Sequence, residues 1–451
     1  MPFTYLGLPL GITKPTVQDL MPLVCSMERR MTSTLTLMSY GAKLSLLNTM
    51  VTSLAIFALC SLKFPPKILE LLDKLRRKCL WTKKTEQGDK CNSLAAWDMV
   101  CQPKECGGLG IINLRIQSEA LLLKYLHKFY NHHDLPWVEL IWTTYYTHNI
   151  PHASEPCGSF WWKDVLKLTP IFRGISKANV NVGDTILMWK DLWLESVLEE
   201  SHPRAFSFAL NKDISVKDFL GSTSLHETFH LPLSIQALDE VRDLQQKVLH
   251  IGNQETPYTH DTWEYCWGSK EFKANRYYKF YFRDVKAHQS YHWLWKSKVT
   301  LKIKMCGWFL LSDRLNTHNM LKRRHYNIGD DLSCLLCDQL VEEDVEHMIF
   351  QCPFSKYSWS KIGITWDASG SRLQWISKAS NNWDKPMFME IFLQAAWSIW
   401  KERNNKLFRG ITPTYHNWLD RFKKDFVLLQ YRTKVDLRDF ILSFVNNLHP
   451  N

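Results

Sequence analysis

Four residues late in this 451-residue chain have the types and spacing to hold a metal ion: Cys334, Cys337, His347 and Cys352. Thiolates at Cys334 and Cys337, two residues apart, suit a knuckle turn whose backbone N–H groups point at sulfur. His347 follows after nine residues and Cys352 after four more, so both can face one ion. Three soft sulfurs and one imidazole nitrogen suit tetrahedral zinc and leave no position for a reacting water. A closed site of that kind is structural and supplies folding energy on the order of 10 kcal/mol. The alternative is a set of reduced core cysteines beside a surface histidine. A lone C-x2-C would favour that alternative, and the full C-x2-C-x9-H-x4-C spacing favours metal. Cys91, Cys101 and Cys106 lie close in sequence but lack a C-x-x-C pair and read as free thiols. Asp330-Asp331 directly precedes Cys334 and superficially resembles a polymerase acidic box. Ile328 stands where that box needs a ring, so the pair reads as a polar loop. No GxxxxGK[ST] or GxSxG motif occurs.

The elements that must position these ligands are helical. The patterning predicts helices around 272–286 and 301–325 before the cluster. After it come a loop near 367–371 and helices over about 386–408 and 414–447. Upstream, Phe3 to Gly11 reads as a strand closed by a Gly/Pro turn. Helices are expected over about 17–31, from Gly41 to a stop at Pro65-Pro66, over 67–81 and over 116–130. From about 131 to 260 prolines punctuate short pieces. There, 186–193 (Ile-Leu-Met-Trp-Lys-Asp-Leu-Trp) reads as a strand or hairpin rich in rings, and His132-His133 as a solvated helix end.

Composition narrows the classes further. Hydrophobic residues make up 45% and charged residues 22%, which excludes a wholly disordered chain. Twelve cysteines are too dilute for a disulfide-stapled secreted domain, and no signal peptide is evident, so a reducing compartment, cytoplasm or nucleus, is expected. Leu44 to Leu62 is uncharged and about long enough to span a bilayer. Ser45, Asn48, Thr49, Thr52 and Ser53 give it a polar face, so it reads as a buried amphipathic helix, with no membrane partner. The net charge of +11 favours polyanions. Three basic clusters could grip phosphates. They are Lys74, Arg76, Arg77, Lys78, Lys83 and Lys84; Lys302, Lys304, Arg314, Lys322, Arg323 and Arg324; and Arg421, Lys423, Lys424, Arg432 and Lys434. With 20 Trp, 16 Tyr and 23 Phe, rings such as Trp293, Trp295 and Trp308 interleave with the second cluster. Charged runs are also ordinary solvated helix faces and tryptophans ordinary core, so the residues alone leave nucleic-acid contact open.

Several segments, in order, resemble the C-terminal part of a plant LINE-type (non-long-terminal-repeat) retrotransposon reverse transcriptase. Phe3-Thr4-Tyr5-Leu6-Gly7-Leu8-Pro9-Leu10-Gly11 resembles the strand leading into the thumb, and Ser39 to Leu44 the thumb segment. Val100 to Lys104 with Gly107-Gly108-Leu109-Gly110 is similar to a V-C-x-P-K…GGLG signature, and Trp189 to Trp193 to a W-x-D-x-W element. Phe272 to Ile362 resembles the reverse-transcriptase zinc-binding domain through Leu294-Trp295-Lys296, Trp308, Arg314 to Thr317, the four metal ligands, Pro353-Phe354 and Trp359. Trp397 to Asn404 resembles the tryptophan-rich segment after it. Val299-Thr300-Leu301 departs from the family's usual proline pair.

The resemblance implies a mainly α fold in four parts: a helical thumb-like region over 1–115, a connector with short strands over 116–260, a zinc-binding domain over 261–365 and a helical C-terminal region over 366–451. It implies structural zinc on Cys334, Cys337, His347 and Cys352. It also implies RNA or DNA, and other retrotransposon proteins, as partners. Lys74, Arg76, Arg77, Lys78, Lys302, Lys304, Lys322, Arg323 and Arg324 become the expected nucleic-acid contacts. The family's endonuclease, fingers and palm have no counterpart in the sequence, so the expectation is a non-catalytic remnant. The competing expectation is a helical zinc-stabilised interaction scaffold, or the inert product of a decayed element.

Overall fold

The computed structural model describes residues 3–5, 7–31, 37–85, 88–146, 157–249 and 260–448. The protein is mainly α, with three antiparallel strand pairs among the described residues. Contacts group it into two compact units, each gathered from three separated stretches. The first takes 1–29, 53–73 and 113–283; the second takes 30–52, 74–112 and 284–451. Stretches 30–52 and 74–112 thus group with residues 284–451.

In the first unit, the hairpin Phe3–Tyr5/Leu8–Leu10 opens the chain where a single strand was expected. The central helix is Leu114–Tyr130. Asn113 starts it, its Oδ1 accepting from the N–H groups of Arg115 and Ile116. Much of its surface is buried, including Leu122, Leu123, Leu126, Phe129 and Tyr130. Rings supply the packing: Phe129 stacks on Trp142 with centroids 4.2 Å apart, and Tyr130 on Phe172 at 5.1 Å. His132, expected in solvent, has φ +44° and stacks between the Trp142 and His260 rings.

The connector departs most from its patterning. Ser176–Asn179 pairs with Thr262–Tyr265, a register spanning more than eighty residues. Residues 186–193 form turns rather than a hairpin, touching sheet geometry only in one bridge from Leu187 to Ser215. Two buried carboxylates organise this chain. Asp191 accepts from the Leu187 N–H at 2.7 Å and pairs with the Arg173 Nε at 2.9 Å. Asp261 accepts from the N–H groups of Asn181, Val182 and Gly183 at 2.8–3.0 Å, and from the N–H and hydroxyl of Thr185. Such acceptors stand in for the sheet partners that the backbone lacks.

The second unit is built on Leu301–Leu311, buried from Met305 through Leu311. At Gly307 a Cβ would fall 2.5 Å from the Leu393 side-chain tip and 2.8 Å from that of Leu294, so glycine lets both leucines lie close against this helix. Phe388–Arg409 packs on it. The Gly-Gly-Leu-Gly turn is fixed in the same way: a Cβ on Gly108 would meet the Gln102 carbonyl oxygen at 2.1 Å, and the Trp308 Nε1 donates to the Gly107 carbonyl at 2.8 Å. The helix expected over 301–325 breaks after Leu311. Asp313 has φ +55°, and Thr317 starts a new helix, His318–Arg323, by accepting from the Met320 N–H. The last expected helix divides into Tyr415–Val427 and Arg438–Asn446. Tyr40–Leu59 is long and apolar enough to cross a membrane, and Leu44, Leu47, Val51, Ala55 and Leu59 are buried in the fold.

Candidate metal centre and its basic surroundings

The chain reaches the four ligands through a short ladder rather than a sheet. Ser333 bridges Glu342, the Cys334 N–H donates to the Val341 carbonyl at 2.9 Å, and the Glu343 N–H to the Leu332 carbonyl at 2.8 Å. This folds Cys334 and Cys337 back toward the turn His347–Gln351. Asp344 caps that turn, accepting from the His347 N–H at 2.6 Å. Cys352 ends it and starts Pro353–Lys361, where proline at the first position needs no hydrogen-bond partner.

The four donor atoms lie within 4.8 Å of one another. Cys334 and Cys352 sulfurs are 4.0 Å apart, and the Cys337 sulfur lies 3.4 Å from the His347 Nε2. A tetrahedral zinc with ordinary bond lengths needs edges of about 3.8 Å between sulfurs and about 3.5 Å between sulfur and nitrogen. The donor set and spacing therefore fit zinc. The hydrogen bond to Cys352, with burial, pushes the Cys334 thiol up; burial pushes Cys337 up and His347 down. Zinc must displace thiol protons as it binds, and that coupling ties uptake to pH.

Residues 272–359 match the family described as zinc-binding in reverse transcriptase. All four ligands fall inside the match. The centre is a structural zinc site of the reverse-transcriptase type, on a Cys3His set that saturates the ion. Over 401 residues the chain is also 23% identical to a protein of Arabidopsis thaliana named for ribonuclease H. That similarity takes in 82% of this chain and 61% of the relative, so the chain spans about three-fifths of its relative's length.

Sequence reasoning missed the brace behind the zinc loop. Glu343, fully buried, takes both Nε and Nη2 of Arg403, the closest contact 2.7 Å. It also accepts from the N–H groups of His318 and of Leu335, between the first two ligands. Arg403 was visible in the Trp397–Asn404 motif, but nothing local pairs it with an acid sixty residues earlier.

The structure sorts the expected nucleic-acid contacts. Arg76 is fully buried, its guanidinium donating to the Ile112 carbonyl at 2.5 Å and lying over the Trp97 ring. It serves the fold and cannot reach a phosphate as placed. Arg77, half-buried, lies over the same ring. Lys304 donates to the Trp295 carbonyl, and burial pulls it down to about 8. Arg324 donates to the Leu94 carbonyl at 2.5 Å and to Asn316, and Arg323 pairs with Asp313 at 2.8 Å. Lys74, Lys78, Lys302 and Lys322 are exposed, without a carboxylate partner among the described residues. The side chains of Lys83 and Lys84 lie outside those described. In the third cluster Arg421 pairs with Glu402 and Lys424 with Asp420. Arg324 to Leu94, with Asn92 to the Tyr326 hydroxyl at 2.6 Å, ties the second cluster to the stretch after the first. Asp330 and Asp331 sit in an exposed loop, where Asp331 accepts from the Ser333 N–H.

Proposed function

We propose that this protein is a non-catalytic, nucleic-acid-binding member of the retrotransposon reverse-transcriptase lineage, corresponding to the C-terminal part of a LINE-type enzyme. It would grip RNA or DNA through exposed lysines around a structural zinc. The observation that carries this reading is the saturated Cys3His centre, inside a reverse-transcriptase zinc match, with Lys302 and Lys322 exposed and unpaired on the preceding helices. Zinc here sets the loop and offers no coordination position to a substrate. Lysines without carboxylate partners are the ones whose charge remains for phosphates. Of the acidic pair beside the site, Asp331 accepts from the Ser333 N–H in its own turn, which supports a structural rather than catalytic role for that loop.

The test is binding of the zinc-loaded chain to a labelled structured RNA and a matched DNA duplex across a salt series. Binding should weaken steeply with salt. Changing Lys74, Lys78, Lys302 and Lys322 to alanine one at a time should each lower the logarithmic salt slope by roughly one. Incubation with an RNA–DNA hybrid and magnesium should leave the hybrid intact, and a primed template unextended. A folded, zinc-loaded chain that binds neither nucleic acid at low salt would replace this reading with the interaction-scaffold one.

A further inference from the structure

The second unit holds a cleft of about 660 Å³, within the range of small-ligand sites. Lys43, Lys302, Arg314 and Arg403 line it, and no carboxylate among the described residues does. Arg403 is neutralised by Glu343, and the buried Lys43 donates to the Thr82 carbonyl. Lys302 and Arg314 have no ion-pair partner among the described residues, and the half-buried Arg314 has an Nε without a hydrogen bond. The cleft is therefore complementary to an anion.

Its rings divide into spent and open ones. Tyr40 packs edge-on against Phe309 and Trp81, and Phe309 lies tilted against Trp81. Lys302 and Lys401 lie over the Trp397 ring, and Arg403 over Trp400. Phe408, at 77% exposure, presents its ring at the same cleft. Two amides stand beside these groups. Asn316 and Asn404 each use Oδ1 to accept from a guanidinium, Arg324 and Arg403 respectively, which leaves their Nδ2 donors for a ligand.

We propose that this cleft takes one unpaired nucleotide of a single strand, its base against Phe408 and its phosphate on Lys302 and Arg314. The proposal rests on the nucleic-acid reading above and makes it specific. An open ring, amide donors and uncompensated cations are the three kinds of group that recognise a base face, a base edge and a phosphate. A base inside a duplex has no free face, so the cleft selects unpaired segments.

The experiment compares a labelled oligouridylate with an abasic strand of the same length, using the full zinc-loaded chain. The unaltered chain should favour the base-bearing strand by about tenfold, the size of one stacking contact. Phe408→Ala, at an exposed position, should abolish that preference while leaving abasic-strand affinity unchanged. Lys302→Gln should weaken both strands alike. Strand binding without base preference, or a preference that survives Phe408→Ala, overturns the cleft proposal but leaves the general nucleic-acid reading standing. Failure to bind any strand or duplex overturns both. If the cleft instead joins two copies, a concentration-dependent dimer lost in Phe408→Ala would appear, and that result also overturns the proposal.

Discussion

Residues 330–346 of the second unit and 180–193 of the first are both largely irregular, yet they are held by different means. In the metal centre, backbone bonding is sparse and four donor atoms gather within 4.8 Å of one another, as one zinc requires. In the connector, Asp261 gathers four consecutive-to-near backbone N–H groups and a hydroxyl, while Asp191 fixes Leu187 and Arg173. A metal and a buried carboxylate solve the same problem, ordering chain that lacks sheet or helix partners. They differ in how removable the solution is. Zinc can be taken away and returned, so the first region is conditional on metal and thiolate, whereas the second is fixed by covalent sequence.

Stripping zinc with a chelator, or Cys337→Ser, should produce the largest contrast. The loop would lose binding energy on the order of 10 kcal/mol when the ion leaves. Amide exchange over 330–360 should rise sharply, while 176–193 stays protected. Unchanged exchange over 330–360 in a demonstrably zinc-free sample would break the comparison, because the loop would then hold without its ion.

The same contrast explains what could be read from sequence. The metal ligands lie within nineteen residues, and their chemistry is visible as spacing. The helices Pro66–Trp81, Leu114–Tyr130 and Phe388–Arg409 were likewise legible, because periodicity and proline or asparagine starts are local signals. Asp261 was not, because its acceptor role depends on Asn181–Thr185, some eighty residues away. Arg76 and Lys304 looked like phosphate grips because sequence shows charge but not burial. The break after Leu311 turned on one residue's backbone, φ +55° at Asp313, which an apolar pattern does not encode.

Arg403→Met sharpens the comparison inside the second unit. It leaves the buried Glu343 carboxylate without its bidentate partner, a change that costs about 3–5 kcal/mol when one member of a buried pair is removed. Glu343 also holds the Leu335 N–H between two ligands, so zinc affinity should fall by roughly 10- to 100-fold, as for groups that orient ligands. Competition against a calibrated zinc chelator measures this; unaltered affinity would mean that the ion alone positions the loop.

Asp261→Asn is the smaller counterpart in the first unit. The amide keeps one acceptor, but its NH2 meets N–H donors, leaving at least one buried group unsatisfied at about 1–3 kcal/mol. Exchange should rise over 176–193 and zinc affinity should not move. A parallel drop in zinc affinity would show that the two kinds of brace are not independent.

The smallest effect is a slope. Burial holds the His127 and His132 imidazoles down to about 4, against about 6.5 in unfolded chain. Their contribution is present above about pH 6.5 and is lost as pH falls toward 4, because the unfolded state then binds protons that the folded state refuses. Asp191 runs the other way. Burial pushes its carboxyl up to about 6, with Arg173 pulling against it, so the folded state takes up a proton between about pH 6 and 3.9 while the unfolded state does not. That uptake stabilises the first unit as pH falls and offsets part of the histidine loss. Asp191→Asn removes the offset. Exchange of the Leu114–Tyr130 amides between pH 6 and 4, after correction for intrinsic rates, should therefore show a steeper loss of stability in Asp191→Asn than in the unaltered chain. Parallel slopes would mean that Asp191 stays ionised beside Arg173 throughout, making the connector's second carboxylate a permanent ion pair rather than a proton acceptor.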